Sequence, residues 1–272
     1  VAWLVSQMPD SMQQFVFGKG IPLLTGPQNG AGTLEPAEGG YLFSGRWSYG
    51  TNCRHADFAM LQGVCTEGLP HLCVVRMSEV GIVDTWKVAG MRGTGSDTVV
   101  ADKVFVPKAH SCLMQGIGSA EDFSYPKEPG DYWIGFPLLR SKAIGILVGA
   151  VEGQLDAIVD SSARPVLYSV FQQKQDAASY RALLGAAAGK IRAARTIMDS
   201  SNTANDRAAL ARRALTPDER LDNRVETAAA IRLLNEASST LMDMAGSSGF
   251  AESSLAQQYW RDFNVGSRHV IF

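Results

Sequence analysis

Three stretches of this 272-residue chain carry side chains that could do chemistry. The first is Gly45-Arg46-Trp47-Ser48-Tyr49-Gly50-Thr51-Asn52-Cys53, a strand-like run ending in small and hydroxyl residues. A flat, electron-poor ring needs such a surface: an aromatic wall, a hydroxyl, and backbone N–H groups for its carbonyls and nitrogens. Trp47, Tyr49, Gly50, Thr51 and Asn52 are its candidates, although a plain strand edge with a polar turn would read the same way. The second stretch is Gly90-Met91-Arg92-Gly93-Thr94-Gly95-Ser96, between Trp86 and Val104-Phe105-Val106-Pro107. Glycines among hydroxyls let backbone approach a ligand closely, and Arg92 could meet an anion or a ring carbonyl. Arg92, Gly93, Thr94 and Ser96 are the candidates here. The third runs from Gly246-Ser247-Ser248-Gly249-Phe250 through Tyr259-Trp260-Arg261-Asp262 to His269. Imidazole exchanges protons near neutral pH, yet a lone histidine beside a helix is more often structural than catalytic.

Two familiar nucleotide motifs are absent. The glycines of the second stretch do not follow G-x-G-x-x-G and open no strand-to-helix unit. Gly185 to Lys190 is one residue short of a phosphate-binding loop, lacks the following hydroxyl and sits in an alanine-rich helical pattern.

Positioning these stretches falls to two kinds of element. From Ile21 to about Cys112 the chain alternates short β-type segments, among them Tyr41 to Ser48, Phe58 to Val64, Leu72 to Met77 and Val99 to Val106. Turn chemistry lies between them at Gly39-Gly40, Glu67-Gly68 and Ser96-Asp97. Beyond a polar passage from Met114 to Gly130 the apolar period changes from two to 3.6. Ile144, Val148, Val151, Leu155 and Ile158 make one helical stripe, and Leu184, Ala187, Ile191, Ala194 and Met198 a second. Thr216-Pro217-Asp218-Glu219 announces a third helix, with a capping hydroxyl, Pro at the first position and Glu at the third. Its stripe continues through Leu234, Ala237, Leu241 and Met244 to Gly246, a length of roughly 43 Å at 1.5 Å per residue. A fourth helical stretch is expected from about Ser253 to the chain end. The predicted fold is α+β, an antiparallel β-barrel or sandwich followed by a C-terminal four-helix bundle. Its expected divisions are 1–20 as the end of a helical domain, 21–115 as the β-domain, 116–139 as a linker and 140–272 as the bundle. Val1 falls inside what reads as the end of a helix, so more chain is expected before it.

Composition narrows the partners. A chain with 46% apolar and 19% charged residues builds a packed core, and its length allows two domains of ordinary size. Net charge is −2 with no long basic run, which argues against nucleic acid. The longest apolar stretch, around Ala143 to Val151, is far below the roughly 20 residues of a membrane span. A cytoplasmic protein is expected. Cys53, Cys65, Cys73 and Cys112 form no C-x-x-C pair and no metal spacing with histidines, so reduced thiols and no metal are expected.

Taken together, the three stretches resemble the acyl-CoA dehydrogenase superfamily over nearly the whole chain, from about Pro22 to His269. The first looks like the family's G-x-K-x-(W/F)-I-T-N segment, with Thr51 and Asn52 in place and Trp47 where dehydrogenases carry Lys. The M-R-G-T-G-S run followed by V-F-V-P looks like the next signature, and Arg261-Asp262 after the glycine pair Gly246 and Gly249 like the last. The G-R-W and R-G-T-G-S versions are similar to the flavin-dependent monooxygenase branch, the oxygenase components akin to 4-hydroxyphenylacetate hydroxylase. The dehydrogenases' catalytic Glu would fall on Val270, whereas the monooxygenases tend to place a His there, and His269 is one position away. The branch often has a Ser in the first segment, where this chain has Gly50 or Thr51, and a His where Met8-Pro9 stands.

This resemblance implies two-component catalysis. A separate reductase supplies reduced FMN or FAD, which reacts with O2 through a C4a-hydroperoxyflavin to hydroxylate a phenol-type aromatic. Thr51 and Ser96 hold the flavin, with Thr51 also counted among the catalytic residues. His269 serves as base or hydrogen-bond partner to the substrate. It also implies a homotetramer, and a family N-terminal helical domain that is largely missing from this chain. Two alternatives stay open: an acyl-CoA dehydrogenase-type FAD oxidoreductase, and a non-catalytic flavin-fold assembly module.

Overall fold

The structure is a computed structural model and describes residues 4–5, 7–114, 132, 135–166 and 168–272. Most of the expected 116–139 linker lies outside the described residues. The chain forms two compact units, Val1–Val88 with Arg92–Tyr132, and Ala89–Met91 with Trp133–Phe272. The fold is a mixed one, an eight-stranded sheet in the first unit and long helices in the second.

In the first unit a short helix, α1 (Asp10–Phe17), precedes strands β1 (Leu24–Thr25), β2 (Gly32–Ala37), β3 (Gly40–Gly50), β4 (Phe58–Cys65), β5 (Pro70–Arg76), β6 (Gly81–Val83), β7 (Asp97–Pro107) and β8 (Ser111–Leu113). Their order is β6-β7-β3-β2-β4-β5-β8, with β1 beside β4. The sheet departs from the all-antiparallel expectation at β4, which runs parallel to both β1 and β2. The cause is the path of the chain: it leaves β3 through residues 51–57 and re-enters beside β2 in the direction of β2. Successive strand residues point to opposite faces, and β4 is buried on both. Leu61 joins Leu34, Phe43, Trp47, Val75 and Val99 in one core. Phe58 and Met60 join Leu72, Val74 and, from the N-terminal segment, Met8, Met12 and Val16 in another.

The second unit contains α2 (Gly135–Asp160), α3 (Ala178–Leu210), α4 (Pro217–Ala245) and α5 (Leu255–Gly266). One core holds them together: Ile144, Leu147 and Val151 of α2, Ile191 and Ala194 of α3, Leu234 and Leu241 of α4, and Phe263 of α5. α4 begins and ends where its sequence signals stand. Thr216 Oγ1 accepts from the Glu219 N–H at 3.2 Å, and the Thr216 N–H returns to Glu219 Oε2 at 2.8 Å. Gly246 then ends the helix at φ 66°, a conformation that disfavours residues with a Cβ. Inside the core, Ser238 Oγ donates to Gln154 Oε1 at 2.6 Å and Gln154 Nε2 donates to the Ser238 carbonyl at 3.0 Å, which satisfies a buried polar pair.

The last helix stops at Gly266, short of the chain end expected for it. There the Arg268 N–H turns to the Val265 carbonyl and the His269 N–H to that of Gly266, which tightens the chain into turns. His269 therefore sits on a terminal turn and not on a helix. Among the described residues no helix is long and apolar enough to cross a membrane.

Candidate functional site

In the sheet unit the end of β3 is bent by two residues in the left-handed region, Tyr49 at φ 63° and Asn52 at φ 65°. The bend brings Thr51 to Ser96, whose hydroxyls share a hydrogen bond at 2.9 Å, and Ser96 shares a second with Thr94 at 2.8 Å. Thr25 Oγ1 donates to the Thr51 carbonyl at 2.8 Å from below. Three candidates drawn from two distant stretches thus form one chain of hydroxyls, anchored on buried Ser96 and open to solvent at Thr51. Backbone N–H groups contribute less than the sequence suggested. The Thr51 N–H is taken by the Tyr49 carbonyl at 2.9 Å and the Asn52 N–H by the Thr94 carbonyl at 3.0 Å.

Trp47 requires a correction. It is 0% exposed, its Nε1 donates to the Gln62 carbonyl at 2.9 Å, and its ring lies 5.0 Å from that of Phe43. It shares the inward face of β3 with Phe43 and fills the space left by Gly32 and Gly45, so it is a core residue and presents no wall to a ligand. Tyr49 is the exposed aromatic of that stretch, 5.8 Å from Trp86 in an edge-on pair. Gly50 is there for packing: a Cβ would stand 2.9 Å from Val99 Cγ2 and 3.0 Å from the Asp97 carbonyl oxygen.

Around the hydroxyls the surface is open. Arg92, exposed, begins a short turn through Thr94, and a Cβ built on Gly93 or Gly95 meets nothing within 4 Å. An open glycine backbone beside a solvent-facing hydroxyl and an exposed tyrosine fits a flat, polar ring system such as a flavin.

Asp97, read from sequence as a turn residue, is the first residue of β7 and its side chain is 1% exposed. Its carboxylate accepts from Arg54 Nε at 2.6 Å and from the N–H groups of Thr85 and Trp86 at 2.9 and 3.0 Å. The Arg54 guanidinium and these two N–H groups hold the carboxyl down to about 2. Because that value is depressed, the strut is whole above the ordinary carboxylate range and is lost as pH falls through about 2. It fixes the 85–86 backbone against the residue next to Ser96. Nothing in the sequence marked Arg54 or Thr25, since both act through partners distant along the chain.

In the helical unit the third stretch meets the start of the second. Arg261 Nη1 donates to the Ala89 carbonyl at 2.7 Å, and the Met91 N–H donates to Asp262 Oδ1. Between them Gly90 lies flat on the helix, where a Cβ would come within 2.2 Å of the Arg261 carbonyl oxygen. Arg261-Asp262 is thus a clamp on the residues directly before Arg92. Gly246 and Gly249 shape the reversal after α4, and a Cβ on Gly249 would meet that of Ala245 at 2.3 Å.

His269 Nδ1 accepts from the Ile271 N–H at 3.3 Å. A neutral ring bonded in this way carries its proton on Nε2 and offers a donor there. His269 is exposed, and desolvation of the part of its ring that faces the protein lowers its pKa from 6.5, so the neutral form prevails at pH 7.

Known proteins are similar to this chain over nearly its whole length. The sequence model of the family described as acyl-CoA dehydrogenase, C-terminal domain, matches residues 143–272. A pigment production hydroxylase of Rhodococcus sp. is 28% identical over 281 residues, covering 99% of this chain and 71% of that protein. The oxygenase component of an FADH2-dependent resorcinol hydroxylase from Rhizobium sp. is 28% identical over 291 residues, covering 98% and 70%. Among solved structures, XiaF from Streptomyces sp. in complex with FADH2 and glycerol is 30% identical with a TM-score of 0.92, covering 99% of this chain and 70% of that one.

Proposed function

This chain belongs to the flavin-dependent monooxygenase branch of the acyl-CoA dehydrogenase superfamily, and from that premise we propose that it hydroxylates a phenol-type aromatic with reduced FMN or FAD and O2. The observation that carries this reading is the hydroxyl chain of Thr51, Ser96 and Thr94, open to solvent beside bare glycine backbone. When bound, the reduced flavin supplies the electrons that activate O2, by the route the family resemblance implies.

The chain's own residues do the rest. Thr51 and Ser96 hold the ring, and Thr51, which faces solvent, is the hydroxyl that meets the reacting edge. Tyr49, Gly50, Asn52, Gly93 and Thr94 shape its surroundings, and Arg92 pairs with its anionic parts. The turn formed by Gly246 and Gly249 is assigned to the flavin side chain. His269 donates from Nε2 to the substrate's phenolic oxygen, which eases loss of the phenolic proton to solvent and stabilises the oxyanion left behind, and so makes the ring carbon a better nucleophile. The hydrogen bond from Ile271 favours this donor role over that of a base. No carboxylate stands at Val270 to take an α-proton, which counts against the dehydrogenase alternative.

The sheet closes as the family's barrel, the helices form its four-helix bundle, and a separate reductase delivers the flavin in the cytoplasm. Exposed Leu221 and Val225, one turn apart on α4, are apolar positions suited to contacts between subunits of a homotetramer.

Thr51→Val and Ser96→Ala each remove one hydroxyl at nearly constant volume. Each is expected to weaken reduced-flavin binding roughly tenfold in an anaerobic titration, the equivalent of one hydrogen bond. An unchanged Kd in both variants would take the hydroxyl chain out of the site.

A further inference from the structure

Arg140, near the start of α2, is only 7% exposed. A guanidinium removed from water is unfavourable unless an anion or a full set of hydrogen bonds replaces the solvent. Arg140 has no carboxylate partner among the described residues. Its Nε donates to the Ile271 carbonyl and its Nη1 to Asn223 Oδ1, both at 3.3 Å. Asn223, itself buried on α4, is held in turn by donation from Nδ2 to Ser201 Oγ on α3 at 3.0 Å. Burial and the nearby Arg224 charge both act against the Arg140 cation. A methionine would fill a similar space without these penalties, so stability alone does not account for an arginine at this position.

What Arg140 grips does account for it. Ile271 gives its carbonyl to Arg140 and its N–H to Nδ1 of His269. The peptide groups on both sides of this one residue are therefore engaged, one by a guanidinium fixed on α2 and α4, the other by the imidazole.

We infer that Arg140 is a positioning residue, which fastens the Ile271 carbonyl to the helices and so holds the N–H that keeps His269 in its Nε2–H form. The inference deepens the role proposed for His269 and rests on that reading for its functional meaning. A ring free to exchange tautomers would spend part of its time with an acceptor, and not a donor, at the substrate edge.

Nuclear magnetic resonance of the imidazole nitrogens tests this in the full chain without flavin or substrate, with the His269 signals assigned by their loss in His269→Gln. The parent is expected to show His269 as the Nε2–H tautomer. In Arg140→Met the preference for that tautomer is expected to fall about fivefold, the effect of one modest hydrogen bond. Arg140→Lys, which keeps a donor and a charge, is expected to restore part of it. Should Arg140→Met fail to fold, Asn223→Ala loosens the same guanidinium without removing it and is expected to shift the ring in the same direction. A folded variant of either kind that keeps the parent tautomer overturns the inference. A shifted ring combined with full hydroxylation in His269→Ala leaves the fastening intact and instead removes the role proposed for His269.

Discussion

Alanine in place of His269 is expected to leave reduced-flavin binding intact and to lower coupled hydroxylation about a hundredfold, the scale of one positioned proton-handling group. Reduced flavin would still be consumed, with its electrons appearing as hydrogen peroxide in place of hydroxylated product. The measurement is product formed per flavin oxidised, compared with the parent under the same oxygen supply, and unchanged coupling removes His269 from the reaction. The pH profile adds a second signature. Desolvation lowers the imidazole pKa from 6.5, so the parent's acid limb should lie below 6.5 and should vanish in the variant. The sign for stability is the same. The unfolded chain takes up this proton more readily than the folded one, so His269 lowers stability as pH drops below 6.5 and is neutral in effect above it.

Gly90→Ala is expected to be strongly destabilising. Its Cβ would stand 2.2 Å from the Arg261 carbonyl oxygen and 2.7 Å from the Asp262 nitrogen, both of them backbone atoms that cannot rotate away. Overpacking of this kind destabilises by about 1–3 kcal/mol, measurable as a lower urea midpoint. The same variant should bind reduced flavin more weakly, because the Met91 N–H that Asp262 holds lies immediately before Arg92. Gly93→Ala separates the two effects. Nothing stands within 4 Å of its Cβ, so the variant should melt like the parent while losing flavin affinity. A Gly90→Ala protein as stable as the parent contradicts the clamp, and a Gly93→Ala protein that binds flavin normally contradicts the open backbone as a ligand surface.

Local signals in the sequence were the most legible. The capping residues Thr216 and Glu219 and the stop at Gly246 bound α4 because each acts within one helical turn. The apolar stripes of α2 and α3 were equally plain, since helical period depends only on near neighbours. The three chemistry-bearing stretches stood out by residue type, and the joining of Thr51 to Ser96 follows from the pairing of β3 with β7. What was hidden depends on strand parity and on distant partners. Whether Trp47 faces inward is settled by which face of β3 the core covers, which its own stretch cannot reveal. Asp97 reads as a turn residue until Arg54, Thr85 and Trp86 are seen to converge on it. The early end of α5 at Gly266 carried no local signal either, and a Cβ on that glycine would press on the flexible ends of Met91 and Leu147. Arg140 looked like one more basic residue on a helix, and only the fold connects it to His269 through Ile271.

A protein that accepts its flavin from a separate reductase must favour the reduced form over the oxidised one. Anaerobic titration of the chain with reduced and oxidised FMN and FAD measures that preference directly. The account requires the reduced form of at least one flavin to bind tenfold or more tightly than its oxidised form, a difference of about 1.4 kcal/mol. Equal affinity, or a tightly held oxidised FAD that an acyl-CoA bleaches without oxygen, would contradict it.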